Sequence, residues 1–168
     1  LLSRGLGDVY KRQIKHYKRN LKLMIISRTP FRISYFGGGT DLPDWYKNNR
    51  GKTISTTINK YCYISIRELP PYFNFNYRLR YFKKENVKKI DQIKHPSIRE
   101  TLKYLKFKKK LELVHNADIP AKSGLGASSS FTVGLLNAIH NFNKTKLDKK
   151  KLALEAIKIE QKKIKEYV

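Results

Sequence analysis

The segment Ile119-Pro120-Ala121-Lys122-Ser123-Gly124-Leu125-Gly126-Ala127-Ser128-Ser129-Ser130 constrains this chain more than any other. It joins a strand-like run, Leu111–Asn116, to a helical one, Ser128–Asn143, whose apolar face carries Phe131, Leu135, Ala138 and Ile139. Gly124 and Gly126 permit a sharp turn and a close backbone approach to a ligand. The helix that follows offers free N–H groups and the positive end of its dipole, which favour an anion. No GK[ST] ends the segment, so it is not a Walker A loop, and the GxGxxG pattern fails at Ser129, so it is not a dinucleotide fingerprint. Gly and Ser before a helix also make an ordinary capping loop. These residues alone leave both readings open.

A second segment lies near the start: Arg28-Thr29-Pro30-Phe31-Arg32-Ile33-Ser34-Tyr35-Phe36-Gly37-Gly38-Gly39-Thr40-Asp41. An Arg fork grips phosphate or developing negative charge. A carboxylate beside a Gly turn can accept hydrogen bonds from a polyol. The alternative is a tight turn with Asp41 capping a helix.

The remaining periodicities give the organisation. Met24–Phe36 is β-rich, with Pro30 arguing for an edge or a bend. A short helix is expected from near Asp41, ending by Asn48–Gly51. Lys52–Ile58 and Lys60–Arg67 are expected as two strand runs, the second with Cys62, Ile64 and Ile66 on one face and Tyr61, Tyr63 and Ser65 on the other. Asn76–Phe82 is a further strand, and Ser97–Leu105 a helix with Ile98, Leu102 and Leu105 inward. Lys149–Val168 is a Lys-rich helix with Leu152, Ala156, Ile157 and Ile164 inward. The alternation of elements makes an α/β or α+β chain.

Charge gives a different first impression. The 168 residues hold 37 Lys+Arg against 13 Asp+Glu, a formal charge of +24, which suggests a polyanionic partner. Seven Lys/Arg and one Asp lie in 1–23, a stretch with no apolar h-region and no small-residue cleavage site, so not a secretory signal. Its LSRGLGDVYKRQ looks like adapter or assembly read-through, with a basic arm as the alternative. The expected domain is 24–168, with a charge of +18. The Lys clusters at 108–110 and 149–151 match helix exteriors and turns. The single cysteine, Cys62, excludes a disulfide framework or a Cys-based zinc site and is expected as a small buried hydrophobe. His16, His95, His115 and His140 show no metal spacing. No apolar run reaches the ~20 residues of a membrane span.

Together the two segments resemble the GHMP kinases (galactokinase, homoserine kinase, mevalonate kinase and phosphomevalonate kinase). The family loop P-x-x-x-G-L-G-S-S is matched by Pro120–Ser129, PAKSGLGASS, and the sugar-kinase motif P-G-R-x-x-x-x-G-x-x-T-D by Pro30–Asp41 in order and spacing. RTPFRISYFGGGTDLP and HNADIPAKSGLGASSSFTVGLLNA are most similar to the branch acting on D-glycero-D-manno-heptose 7-phosphate. The resemblance implies an α+β domain of the ribosomal protein S5 domain 2-like type, without the ferredoxin-like domain that completes the cleft in relatives.

It also implies roles. ATP phosphates would be wrapped by Pro120, Lys122, Ser123, Gly124, Leu125, Gly126, Ala127, Ser128 and Ser129. Mg2+ would be held by Ser128 and by Glu160 on a later helix, and Ala127 stands where relatives commonly have Ser. Arg32 would be catalytic and touch substrate. Gly38, Gly39, Thr40 and Asp41 would hold the sugar, and Arg28 is expected on the substrate phosphate. The implied reaction converts heptose 7-phosphate to the 1,7-bisphosphate in the cytoplasm, without nucleic acid or membrane as partner. The catalytic Asp of relatives is expected beyond residue 168, making this an N-terminal fragment with little or no activity of its own. A fucose- or galactose-type kinase is the alternative. A rival reading is a basic module stacking bases on Tyr72, Phe73, Phe75, Tyr77, Tyr81 and Phe82.

Overall fold

β-Branched and aromatic residues make Ile25–Phe36 a strand, β1. Pro30 cannot donate to a ladder, and β1 lies at a sheet edge with its register shifting between Pro30 and Arg32. The computed structural model describes residues 24–121 and 123–164, with the backbone alone for residues 41, 43, 162 and 163. Residues 1–23, with the expected read-through stretch, residue 122 and residues 165–168 lie outside the described residues.

After β1 come one 3-10 turn, Gly38–Asp41, and a four-residue helix, α1 (Pro43–Tyr46). The two runs expected between residues 52 and 67 are one 15-residue strand, β2 (Ile54–Glu68). Pro30 pairs with Tyr61 and Arg32 with Thr57, so three β2 residues face one on β1 and Asn59-Lys60 sit in a bulge, not a turn. β2 runs antiparallel to both β1 and β5 (Leu111–Ala117). β3 (Tyr77–Arg80) is parallel to β5 and forms a hairpin with β4 (Lys84–Val87), giving the order β1-β2-β5-β3-β4.

One face of the sheet is covered by α2 (Pro96–Tyr104) and α3 (Ala127–Phe142). Cys62, Ile64 and Ile66 of β2 and Leu111 and Leu113 of β5 meet Ile98, Leu102, Phe131, Leu135, Ala138 and Ile139 there. The predicted alternation of β2 and the apolar faces of both helices are therefore the core. Cys62 is buried, which pushes its thiol up to about 12. This two-layer α+β arrangement is the expected class. Among the described residues no helix is long and apolar enough to cross a membrane.

α3 approaches β1 closely at Gly134, where a Cβ would lie 2.7 Å from Thr29 Oγ1 and 3.4 Å from Ile64 Cδ1. Gly134→Val should overpack this contact and lower stability by about 1–3 kcal/mol, read as a fall in the urea midpoint at unchanged slope.

The last helix departs from expectation. α4 spans Lys149–Lys158 and passes into a π-helical turn, Ile159–Ile164. Ile157, expected inward, is 48% exposed, and Ile159 is buried instead, beside Leu136 and Ala156. Leu152, Ala156 and Ile159 follow i, i+4, i+7, whereas Ile157 lies about 100° around the helix from Ala156. The six aromatics of the stacking reading do not form one platform. Tyr72, Phe73 and Phe75 form one cluster, with neighbouring ring centres 4.5 and 5.1 Å apart and Arg78 over Phe73, while Tyr77 is in the core and Tyr81 packs edge-on against Phe82 and His95.

Candidate functional site

The Gly-rich loop begins at a fastened point. The Asp118 carboxylate accepts the Tyr61 N–H at 2.8 Å, and the Asp118 N–H donates to the Tyr61 carbonyl at 3.0 Å. From there the chain runs over the exposed Pro120 and turns at Gly124 and Gly126, with φ of 74° and 72°, a region that favours glycine. Leu125 between them packs on the core. Gly126 is the N-cap of α3, and no side chain caps the helix. The first intrahelical bond runs from the Ser130 N–H to the Gly126 carbonyl. The N–H groups of Ala127, Ser128 and Ser129 therefore have no intrahelical acceptor and meet the positive helix end. Ser123 Oγ in the same loop is buried without a hydrogen-bond partner. A buried hydroxyl left unpaired costs about 1–3 kcal/mol, and a phosphate oxygen is the acceptor that such a loop can receive.

β1 supplies the second component. Because β1 is an edge strand, its outer side is free to meet the loop, and the Arg32 N–H donates to the Leu125 carbonyl at 3.1 Å. The Arg32 side chain lies over Gly126, where a Cβ would be 3.0 Å from its Cγ and 3.3 Å from its Nε. Arg32 Nη1 donates to Ser34 Oγ at 2.5 Å, and Ser130 Oγ donates to the Pro30 carbonyl at 3.0 Å. Two motifs about ninety residues apart thus share one surface.

The triple-glycine turn is rigid where it meets the strand and open beyond it. Gly37 has φ 80°, and a Cβ there would collide with the Lys52 carbonyl. Thr40 Oγ1 lies 2.8 and 3.0 Å from the Gly37 and Lys52 carbonyls, to one of which its single hydrogen donates, and accepts the Lys52 N–H at 3.0 Å. Its hydroxyl holds the turn in shape. Gly38 and Gly39 are exposed, and a Cβ on either would meet nothing within 4 Å, so their backbone is open to a ligand. The Asp41 backbone closes the 3-10 turn, and its carboxylate lies outside the described residues, as does Lys122.

The π turn brings Glu160 to the start of α3, where Ser129 Oγ lies 3.3 Å from Glu160 Oε2. The hydroxyl that reaches Glu160 is Ser129's, one position after Ser128, the residue expected to share a metal with it. One residue rotates a helical side chain by about 100°, which accounts for the difference. One carboxylate and one hydroxyl do not make a cation cage, and among the described residues no cluster of three His, Cys, Asp or Glu could hold a metal. The pair fits Mg2+, which is commonly bound through one or two carboxylates and substrate phosphates.

Arg28 is placed elsewhere. Ser27 and Thr29 face α3, so strand alternation sends Arg28 to the opposite face of the sheet, where its guanidinium lies 4.4 Å from the centre of the Tyr61 ring. Arg28, expected on the substrate phosphate, is exposed on that face.

Beside the first turn of α3 lies a cluster that sequence reasoning missed. The His95 ring stacks on Phe131 at 4.9 Å, and His115 meets the same ring edge-on. Tyr81 packs edge-on against His95 and donates to Glu85 Oε1, while the Lys94 N–H donates to Glu85 Oε2. Burial, followed by the neighbouring His115, lowers His95 to about 4 against the pull of Glu85. Burial also lowers His115. Burial raises the Glu85 carboxyl, but its hydrogen bonds from Lys94 and Tyr81 outweigh this and hold it below the ordinary value. These residues come from separate elements with no shared spacing, so no local signal announces them.

Residues 93–166 match the family of GHMP kinases N terminal domains. The chain is 30% identical over 146 residues to the D-glycero-alpha-D-manno-heptose 7-phosphate kinase of Campylobacter jejuni, covering 82% of this chain and 43% of that protein. It superposes on a D-glycero-D-manno-heptose 1-phosphate kinase from Bacteroides thetaiotaomicron with a TM-score of 0.72 and 23% identity, covering 87% of this chain and 50% of that one. A Lactococcus lactis galactokinase complexed with galactose gives 0.65 and 16%, covering 97% and 44%. The chain spans half or less of the length of each. With its α+β sheet, its Gly-rich turn into α3 and these likenesses, the chain matches the N-terminal domain of the GHMP kinases.

Proposed function

We propose that this chain is part of an ATP-dependent sugar kinase that phosphorylates the anomeric hydroxyl of D-glycero-D-manno-heptose 7-phosphate to the 1,7-bisphosphate in the cytoplasm. The observation that carries this reading is the Arg32 side chain lying over Gly126, where the Gly-rich loop enters α3. The substrate assignment is supported by the named activity of the Campylobacter jejuni relative.

In this reading the N–H groups of Ala127, Ser128 and Ser129, with Ser123 Oγ, receive ATP phosphates. Bound Mg2+ neutralises phosphate charge, and Ser128 or Ser129 with Glu160 would hold it. Arg32 sits between donor and acceptor, where a guanidinium stabilises charge on the group in transit. Such transfer rests on positioning and electrostatics rather than covalent chemistry by the protein. Gly38 and Gly39 offer open backbone to the sugar, Thr40 keeps their turn in shape, and Asp41 follows directly. The proton-accepting role is assigned to no residue of this chain.

Binding tests both parts. Equilibrium dialysis with labelled ATP and Mg2+ should show one saturable site. Heptose 7-phosphate should bind in preference to galactose and fucose, and preference for either neutral sugar would move the substrate to the galactose- or fucose-type alternative. Glu160→Gln should weaken Mg-ATP about 10- to 100-fold, the range seen when metal-site partners are lost, and leave metal-free ATP unchanged. Equal weakening with and without Mg2+ would remove Glu160 from the metal.

A further inference from the structure

Tyr46 ends α1, five residues after Asp41, and its hydroxyl lies 3.3 Å from Gln161 Oε1. Gln161 adjoins Glu160 in the π turn, and Glu160 contacts Ser129 in the first turn of α3. The turn carrying Gly38–Asp41 and the start of the Gly-rich helix are therefore bridged by two consecutive residues of one segment. A four-residue helix has too few internal hydrogen bonds to hold its own pose, so α1 depends on such contacts. π turns recur where a helix is locally re-aimed, often at functional sites.

We propose that Tyr46 is a positioning residue that couples nucleotide binding at α3 to the pose of the acceptor turn through Gln161. A nucleotide that engages Ser129 and Glu160 shifts or stiffens the π turn, and the Tyr46 hydroxyl carries this to residues 38–46. The proposal rests on the nucleotide site described above, and the two fail in different ways.

Trp45 is the only tryptophan of the chain, is exposed, and sits beside Tyr46, so intrinsic tryptophan fluorescence reads this turn directly. The full chain is titrated with Mg-ATP while dialysis measures bound nucleotide independently. The wild type should show a Trp45 response that saturates with occupancy. Tyr46→Phe and Gln161→Leu should lose most of it while still binding nucleotide to within about threefold, and Gln161→Glu, which keeps an oxygen acceptor, should retain it. A full response in Tyr46→Phe overturns the proposal. Occupancy without a Trp45 response in the wild type overturns the coupling and leaves the nucleotide site standing. No bound nucleotide in dialysis overturns both. Tyr46 is largely exposed, and equal urea midpoints for Tyr46→Phe and wild type confirm that the comparison is between folded proteins.

Discussion

Gly126→Asp should abolish saturable Mg-ATP binding while leaving the fold in place. Gly126 is the N-cap of α3 with φ 72°, and its missing Cβ is what lets the Arg32 side chain lie across the loop, with Cγ 3.0 Å from that position. An aspartate there has two effects. Its carboxylate occupies the space between Arg32 and the helix end, pairs with the guanidinium, and repels a phosphate at the same N–H groups. Like charges about 4 Å apart near a protein surface cost about 4 kcal/mol, roughly a thousandfold in affinity. The left-handed backbone adds strain of about 1 kcal/mol, a conformation that aspartate tolerates better than most residues. Gly126→Ala separates the two: it carries the strain and the crowding of Arg32 without the charge, so it should fall between wild type and Asp. Dialysis gives the affinities, and circular dichroism with a urea midpoint shows that the domain remains folded. Wild-type affinity in Gly126→Asp would mean that phosphates do not bind at this helix end.

What the sequence made legible is what local chemistry determines. The Gly-rich joint, the edge position of β1 forced by Pro30, the alternation of β2 and the apolar faces of α2 and α3 depend on neighbours in sequence, and they stand in the fold as expected. The exceptions depend on partners far along the chain. β4 is Lys-Glu-Asn-Val, with no alternation to announce it, and exists because β3 offers it a ladder. Arg28 and Arg32 are four residues apart, which a regular strand would place on one face. Alternation on β1 holds through the buried Ser27 and Phe31, and the extra residues of the bulge lie on β2; Arg28 meets Tyr61 and Arg32 meets the loop because their neighbours, far along the chain, differ. The exchange of Ile157 for Ile159, and of Ser128 for Ser129 beside Glu160, follows from the packing of α4 and its π turn on α3, which no period of 3.6 encodes.

The histidine cluster next to that helix start makes the domain acid-sensitive before most carboxylates protonate. His95 is lowered to about 4 by burial and by His115, and His115 is itself lowered by burial. In the unfolded chain both titrate near 6.5. Between pH 6.5 and 4 the unfolded state therefore binds more protons than the folded one, so the stability these residues confer is present above 6.5 and is lost as pH falls toward 4. A displacement of this size at His95 corresponds to at most about 3.5 kcal/mol, with residual solvent contact reducing it, and His115 adds in the same direction. Glu85 is the acidic group facing His95, and Tyr81 is the neutral partner of both. Glu85 is held below its ordinary value, so its own stabilising share disappears only below about 4.5, a lower window than that of the histidines. Urea midpoints at pH 7.5, 6.5, 5.5 and 4.5 should fall steadily, with the steepest loss below 6.5. His95→Phe keeps an aromatic ring against Phe131 and removes the titrating group, so its midpoint should depend much less on pH across the same range. A wild-type midpoint that stays flat from 6.5 to 4.5 would show that the His95 ring is already solvated in the folded domain.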